Sequence, residues 1–414
     1  MQTFTRSGGR DQAERDIVEL EHLVESANLL GKGNRIVAVG RIHPATYLGK
    51  GQVANLKADV ESLEVEVVVF NHPLTPVQQR NLEKTLEVKV VDRTGLILEI
   101  FASRARTREG NLQVNLALLL YQQSRLVRTW SHLERQRGGV GLRGGPGETQ
   151  IEVDRRLIRD QIHRLKKQLL QVERTRSLHR HARRDVPYFT VSLVGYTNAG
   201  KSTLFNRLTE AKVYEADQLF ATLDPTMRGL TLPDGQRIIL SDTVGFIRDL
   251  PHQLIAAFRA TLEEVLEADL LLHVVDLADS ESAEQHRVVL EVLEELGAHQ
   301  KPMLTLYNKC DQISVENQAT IARFSARSQS LVISAKTGQG VAELLQTLQE
   351  MANVKAQLFQ LRIPATDGAL LARICREGQV LARQDLDEQI QITVSFPPAV
   401  AGRIRKTIEP FLVL

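Results

Sequence analysis

Blocks of helical and strand periodicity alternate along the first hundred residues. Helical spacing over Glu14–Leu29 is followed by the apolar run Arg35–Ile42. A helical stretch around Gly51–Leu63 leads into Val65–Phe70, whose β-branched residues suit a strand buried on both faces. Another helix near Pro76–Leu86 leads to Val88–Asp92, and Leu96–Arg104 is helical again. Strands separated by helices of this length predict a parallel sheet with helical crossovers over residues 1–108.

Between residues 109 and 186 the period changes. Leu112, Leu116, Leu119, Gln123, Leu126, Trp130 and Leu133 recur at alternating steps of 4 and 3, a heptad seam with one polar position. Ile158, Ile162, Leu165, Leu169 and Val172 repeat that rhythm after a break. Two such helices joined by a short connector predict an antiparallel, coiled-coil-like hairpin. The connector, Gly138-Gly-Val-Gly-Leu-Arg-Gly-Gly-Pro-Gly147, holds six glycines in ten positions. One or two would close a hairpin, so this many imply close backbone approach or a need for mobility. It is flanked by Arg135 and Arg137 on one side and by Arg155, Arg156 and Arg159 on the other, with Arg143 inside it.

Residues 187–354 return to alternating strand and helix, and residues 355–414 read as a small α+β domain. Its elements are strand-like Gln357–Ile363, helical Gly368–Arg376, strand-like Gln379–Arg383 and Gln389–Phe396, and a helix after Pro397–Pro398.

Composition narrows the classes. A chain of 414 residues that is 43% hydrophobic and 25% charged is globular, with no need of disulfide or metal staples to fold. Its longest apolar runs, such as Leu116–Tyr121 and Leu270–Leu272, fall far short of the ~18 residues that span a bilayer. The polar opening stretch has no apolar core of a signal peptide. Cys310 and Cys375, 65 positions apart, make neither a disulfide framework nor a metal cluster. A reducing, cytoplasmic compartment is expected, with no membrane span and a monomeric chain. Net charge is only +2, yet Arg104–Arg184 carries 19 Lys/Arg against 7 Asp/Glu, or +12, leaving −10 elsewhere. That asymmetry points to a polyanion partner, most simply nucleic acid; a solvated basic helix face is the plainer alternative.

The specific chemistry begins at Gly195-Tyr-Thr-Asn-Ala-Gly-Lys-Ser202, which follows the strand Phe189–Val194 and opens a helix over Ser202–Leu208. This is a P-loop in its required strand–loop–helix context. Backbone N–H groups of Gly195, Tyr196, Thr197, Asn198, Ala199 and Gly200, continuing through Thr203, would cradle phosphates at the helix N-terminus. Lys201 would reach the β- and γ-phosphates as a catalytic group, and the Ser202 hydroxyl would ligate Mg²⁺. Asp242-Thr-Val-Gly245 ends a strand about 40 residues later. Asp242 would hold Mg²⁺, the Gly245 N–H would face the γ-phosphate, and Thr243 and Val244 lie between them. Asn308-Lys-Cys-Asp311 and Ser334-Ala-Lys336 end two further strands, and such strand ends converge at one edge of a doubly wound sheet.

Asp311 would accept from guanine N1–H and N2–H₂, where adenine would leave a buried carboxylate unsatisfied; such sites discriminate by about 10⁴–10⁵. The Ala335 N–H would face guanine O6, with Ser334 and Lys336 beside it, and Lys309 would pack over base and ribose. Asn308 completes that set. The ligand expected is GTP, turned over to GDP, rather than ATP. Within Leu219-Phe-Ala-Thr-Leu-Asp-Pro-Thr226, a switch threonine must contact Mg²⁺ and γ-phosphate only in the GTP state. Thr222 is preferred, with Thr226 in reserve, and Phe220, Ala221, Leu223 and Asp224 flank it. After Asp-Thr-Val-Gly many GTPases carry a glutamine that orients the attacking water. Phe246 has no group that can do this, so intrinsic hydrolysis should be slow and something else must position the water.

These motifs together resemble the HflX family of translation-factor-class GTPases over nearly the whole chain. The resemblance rests on Gly138–Arg156 with its Pro-Gly-Glu-Thr-Gln run, on Val194–Asn206, on Phe220–Thr226, on Asp242–Arg248 and on Val91–Leu98. It implies a GTPase that binds the large ribosomal subunit, both rRNA and protein, in its GTP form. It also implies splitting or rescue of stalled or idle ribosomes under stress. The hairpin would then reach toward the peptidyl-transferase region, with Arg135, Arg137, Arg143, Gly144, Gly145, Arg155 and Arg156 as rRNA contacts. The family further implies Thr222 as the magnesium-bound switch residue, and Asn198 stands where potassium-activated relatives place a K⁺ ligand. The chain departs from the family form in its extra loop glycine and in a polar opening stretch where a first strand is expected, which predicts a short N-terminal sheet.

The expected architecture is α/β multidomain: an N-terminal parallel α/β domain (1–108), a basic helical hairpin (109–186), a P-loop GTPase domain (187–354) and a C-terminal α+β domain (355–414). Two other readings compete. The hairpin could be a dimerisation coiled coil of a GTPase that regulates a protein or RNA-modification complex. Alternatively, Tyr47-Leu-Gly-Lys-Gly-Gln52 could mark a second nucleotide site such as an ATPase, although so weak a glycine loop is more simply a turn.

Overall fold

The computed structural model describes residues 1–4, 9–136, 150–184, 188–209, 219–220, 226–249, 259–313, 324, 329–353, 357–386, 388–396 and 398–413. They form two compact units, Met1–Val172 with Ala216–Asp224 and Asp249–Ala260, and Glu173–Glu215 with Pro225–Arg248 and Thr261–Leu414.

The first unit begins with a strand that the polar opening stretch does not predict. β1 (Gln2–Phe4) pairs in parallel with β2 (Ile36–Ala38). Backbone pairing needs no apolar side chains, and the Gln2 amide also donates to Asp16 of α1 (Arg10–Ser26) at 2.9 Å. Then come α2 (Lys50–Ser62), β3 (Val67–Phe70), α3 (Pro76–Leu86) and β4 (Lys89–Asp92), with β3 and β4 parallel as their β-branched runs predict. Leu48, Phe70, Leu82 and Val90 have no exposed surface and form the centre of this core. The glycine loop at Tyr47–Gln52 is a helix start: Leu48 is buried, and the Gly49 N–H donates to the Gln52 side chain at 3.1 Å across the first turn of α2.

Asp92 explains the Val91–Leu98 motif. It caps α4 (Arg93–Arg104) by accepting from the Gly95 N–H at 2.9 Å, and it accepts from the Leu74 N–H at 3.1 Å. From α5 (Arg108–Gln136) it also receives the Tyr121 hydroxyl at 2.7 Å and the Arg125 guanidinium at 2.6 Å. A Cβ at Gly95 would crowd the Tyr121 hydroxyl, so glycine is the residue that lets α5 dock here. Burial and the adjacent carboxylate hold the Tyr121 phenol well above its ordinary range, so it stays a donor.

α5 has 29 residues and α6 (Gln150–Arg184) has 35, so they run about 43 and 52 Å at ~1.5 Å per residue. On α6 the seam is the shielded face, with Ile162 buried and Ile158, Leu165, Leu169 and Val172 half-buried. On α5 Leu116 is buried, but so are Gln113, Val114 and Ala117 off the seam, because α5 packs on α3 and α4. Leu157 and Leu170, off the seam, are more than half exposed. Residues 137–149, including the whole glycine connector, lie outside the described residues. Leu219 and Phe220 also belong to this unit. The Leu219 N–H donates to Ser26 Oγ at 2.9 Å, and the Phe220 ring meets Phe101 edge-on with centroids 4.6 Å apart.

The second unit holds a six-stranded sheet made of β5 (Thr190–Gly195), β6 (Thr226–Thr231), β7 (Arg237–Asp242), β8 (Leu270–Asp276), β9 (Met303–Asn308) and β10 (Ser330–Val332). Spatial order is β10-β9-β8-β5-β7-β6, parallel except for the β6–β7 pair. α7 (Lys201–Thr209), α8 (Arg259–Glu267), α9 (Ser282–Glu295) and α10 (Val341–Asn353) accompany it. Leu193, Phe205, Leu240, Leu272 and Val274 are fully buried between sheet and helices. β6 answers no apolar pattern in the sequence, because its residues are mostly half or fully exposed at the sheet edge.

Further along, β11 (Gln357–Pro364), α11 (Gly368–Glu377), β12 (Gln379–Asp385), β13 (Gln389–Phe396) and α12 (Pro398–Ile408) form the predicted α+β layer. Its antiparallel order is β11-β13-β12, and Leu361, Ile392 and Phe396 pack on Ile374, Ile404 and Ile408. Among the described residues no helix is long and apolar enough to cross a membrane, and no His/Cys/Asp/Glu group could hold a metal by itself.

Candidate nucleotide site

The loop after β5 is shaped by positions that only glycine satisfies. A Cβ at Gly195 would collide with the Val274 carbonyl of β8. Gly200, at φ +94°, lies where a Cβ would strike the Asn308 amide. Asn198 also takes a left-handed conformation (φ 60°) and is exposed. Lys201 opens α7 and is only 6% exposed. Its ammonium donates to the Tyr196 carbonyl at 2.7 Å and to the Gly195 carbonyl at 3.1 Å. Burial pulls its pKa down to about 8, against the opposing charge of Asp242. Anionic phosphates beside it would restore full protonation.

Asp242, at the end of β7, is completely buried and accepts from Ser202 Oγ at 2.8 Å. Sequence separation of 40 residues thus closes into a hydroxyl–carboxylate pair of hard oxygens at the start of α7. Gly245 lies directly against the loop: a Cβ there would stand 2.9 Å from Thr197 Cα and 3.0 Å from the Lys201 ammonium. The next residue joins the loop as a strand would. The Phe246 N–H donates to the Gly195 carbonyl at 3.1 Å, and its carbonyl accepts from the Thr197 N–H at 2.8 Å. The Phe246 side chain is 1% exposed, packed away rather than presented to a ligand. Thr243 donates to the Leu193 carbonyl at 2.5 Å and is buried, as is Val244.

The second cluster sits at the ends of β9 and β10. Asn308 donates to the Ala199 carbonyl and accepts from the Ala335 N–H, both at 2.8 Å, so one amide ties the P-loop to the Ser334–Lys336 loop. The Ala335 N–H expected at guanine O6 is held by Asn308 in this structure. Ser334 donates to Asp311 at 2.6 Å, fixing that carboxylate. Lys309, at φ 64°, pairs with Asp276 at 2.7 Å.

Two features of the site escape the sequence. Arg207, on α7, donates to the carbonyls of Ala335 and Lys336 and so joins the phosphate-side helix to the second loop. His273 of β8, stacked on His286 with centroids 4.7 Å apart, has its pKa pushed down to about 3 by burial and stays neutral near Lys201. No spacing rule signals either, since both depend on contacts between distant segments.

Phe220 buries its ring on Phe101 within the first unit. Thr226, the reserve switch threonine, begins β6 opposite Asp242. Ala221, Thr222, Leu223, Asp224, Arg137, Arg143, Gly144 and Gly145 lie outside the described residues, as does the Arg135 side chain. Arg155 is half-buried and Arg156 exposed, one after the other on α6.

A P-loop ending a buried strand of a mainly parallel sheet, facing Asp-Thr-Val-Gly, Asn-Lys-Cys-Asp and Ser-Ala-Lys, defines a P-loop GTPase. Residues 14–102 match a family model described as GTP-binding GTPase N-terminal, and 104–183 match the GTP-binding GTPase Middle Region. Residues 190–309 match a model described as 50S ribosome-binding GTPase. The chain is 56% identical over 400 residues to GTPase HflX of Magnetococcus marinus, covering 97% of this chain and 92% of that one. To GTPase HflX of Escherichia coli K12 it is 46% identical over 411 residues, covering 98% and 95%. A crystal structure of a GTP-binding protein from Sulfolobus solfataricus in complex with GDP aligns at TM-score 0.44 and 25% identity over 85% of this chain and 98% of that one. The chain belongs to the HflX GTPase family and is a GTP-hydrolysing enzyme.

Proposed function

We propose that this GTPase binds the large ribosomal subunit in its GTP form and dissociates or rescues stalled or idle ribosomes under stress, as a cytoplasmic monomer. The observation that carries this reading is the pairing of a nucleotide site with the +12 segment Arg104–Arg184, drawn out into two helices of 29 and 35 residues. Ribosomal RNA is the polyanion such an arm suits, through Arg155 and Arg156 on α6 and through Arg135, Arg137, Arg143, Gly144 and Gly145 around the connector. We take 1–108, 109–186, 187–354 and 355–414 as the domains, with the ribosome-binding arm in 109–186 and the nucleotide motifs in 187–354.

Within the site, Lys201 neutralises the β- and γ-phosphates, and N–H groups of Gly195–Thr203 cradle them. Ser202 Oγ and Asp242, already 2.8 Å apart, suit Mg²⁺, which takes oxygen ligands and supplies charge at the transferring phosphoryl group. Gly245 brings its N–H to the γ-phosphate, beside Thr243 and Val244. Asp311 reads guanine N1–H and N2–H₂, while Asn308, Lys309, Ser334, Ala335 and Lys336 shape the base pocket. Thr222, within the Ala221–Asp224 segment, is the residue that the family resemblance assigns to the metal and γ-phosphate, with Thr226, opposite Asp242 on β6, in reserve.

Phe246, with its backbone bridged to the loop and its ring buried, offers no polar group to water. Exposed Asn198 presents an amide oxygen suited to K⁺ at the loop. Turnover measured with and without large subunits, in potassium and in sodium at matched ionic strength, tests this. Matching matters because the basic arm's own binding falls steeply with salt. Ribosomes should accelerate hydrolysis at least tenfold more in potassium than in sodium, set against the roughly 10³–10⁵ that an arginine finger supplies elsewhere. Equal stimulation in both cations removes the potassium role, and no stimulation in either removes the ribosome role as well.

A further inference from the structure

Asp276 and Asn308 end the neighbouring parallel strands β8 and β9 and stand opposite each other in register. One residue beyond Asn308, Lys309 adopts a left-handed backbone, a conformation that side-chain-bearing residues keep only when their surroundings hold them there. Its ammonium lies 2.7 Å from Asp276 Oδ2, and the two side chains are only 20% and 14% exposed. The other Asp276 oxygen accepts from the Ala278 N–H at 3.0 Å, so the end of β8 orients the carboxylate before it orients the lysine. A lysine tethered at both backbone and ammonium has few rotamers left to lose when a base slides against its stem.

We propose that Asp276 is a positioning residue for guanine nucleotide: it holds the Lys309 side chain stretched along the base site before the nucleotide arrives. The proposal rests on reading Asn308–Asp311 as the base-recognising segment. Asp276 does not touch the nucleotide; it acts through Lys309. Nothing in the spacing of the Asn-Lys-Cys-Asp motif points to it, because it lies 33 positions before Lys309 on another strand.

The test is a double-mutant cycle on GDP affinity in the full-length chain. Asp276→Asn keeps an oxygen for the Ala278 N–H but turns an amide N–H₂ toward the ammonium, which breaks the pair. Lys309→Met keeps the apolar stem and removes the charge. Coupled side chains in contact depart from additivity by at least about two- to fivefold in affinity. D276N should therefore weaken GDP binding about fivefold in the wild-type background and less than twofold in the K309M background. Equal losses in both backgrounds would mean a structural role independent of Lys309 and would overturn the proposal, as would unchanged affinity in D276N. Wild-type affinity in K309M would instead overturn the base-site reading, and the proposal with it.

Discussion

Asp311→Asn is expected to weaken GTP binding by about 10²-fold or more and to make xanthosine triphosphate the preferred ligand. The carboxylate is held by Ser334 Oγ at 2.6 Å and offers acceptors only. Guanine presents two donors on that edge, N1–H and N2–H₂. An amide offers one acceptor and one donor, so its N–H₂ meets the guanine amino group donor to donor. Asp311 itself is exposed rather than buried, and the mismatch is costly because the base that covers it shuts out water. Xanthine replaces the amino group by a carbonyl and restores the match. The amide oxygen introduced by D311N can still accept from Ser334, so the loop keeps its shape. Binding of GTP and xanthosine triphosphate to both proteins measures the exchange, and unchanged GTP affinity in D311N would remove the base-recognition assignment.

The second large effect is expected at the other end of the site. Lys201→Ala should lower GTP turnover by about 10²–10³-fold, the loss typical of removing one preorganised charge-stabilising donor. The ammonium is already positioned by the Gly195 and Tyr196 carbonyls and buried at 6% exposure, so it reorganises little when phosphate arrives. Ser202→Ala removes the hydroxyl that faces Asp242 and should fall in the same range through loss of the magnesium ligand. Thermal melts of both variants separate a catalytic loss from unfolding, since neither side chain belongs to the apolar core between sheet and helices. Wild-type turnover in either folded variant would overturn the corresponding role.

What was legible in the sequence was local. The P-loop, Asp242–Gly245, Asn308–Asp311 and Ser334–Lys336 are short runs whose chemistry is set by spacing along one strand end, and their strands are buried enough to show continuous apolar runs. The 4-3 seam of α6 was readable for the same reason, whereas α5 buries Gln113, Val114 and Ala117 off its seam against α3 and α4, a packing its own period does not show. What was not legible depends on partners far away in the chain. β1 and β6 are edge or polar strands held by backbone bonds, so side-chain pattern says little about them. Asp92 gathers Leu74, Gly95, Tyr121 and Arg125 from four places, and Arg207 reaches the Ala335 and Lys336 carbonyls across 128 and 129 positions. The packing of Phe220 on Phe101 likewise joins residues more than a hundred positions apart, which no local pattern shows.

GTP-controlled association with the large ribosomal subunit can be measured by cosedimentation. Purified large subunits would be spun with the full-length protein carrying a non-hydrolysable GTP analogue, carrying GDP, or with no nucleotide, at one fixed salt concentration because the arm is strongly basic. Near-stoichiometric cosedimentation with the GTP analogue, and at least tenfold weaker binding with GDP, is the predicted result. Binding that is equal in all three states, or a GTP-dependent dimer that leaves the subunits untouched, would contradict it.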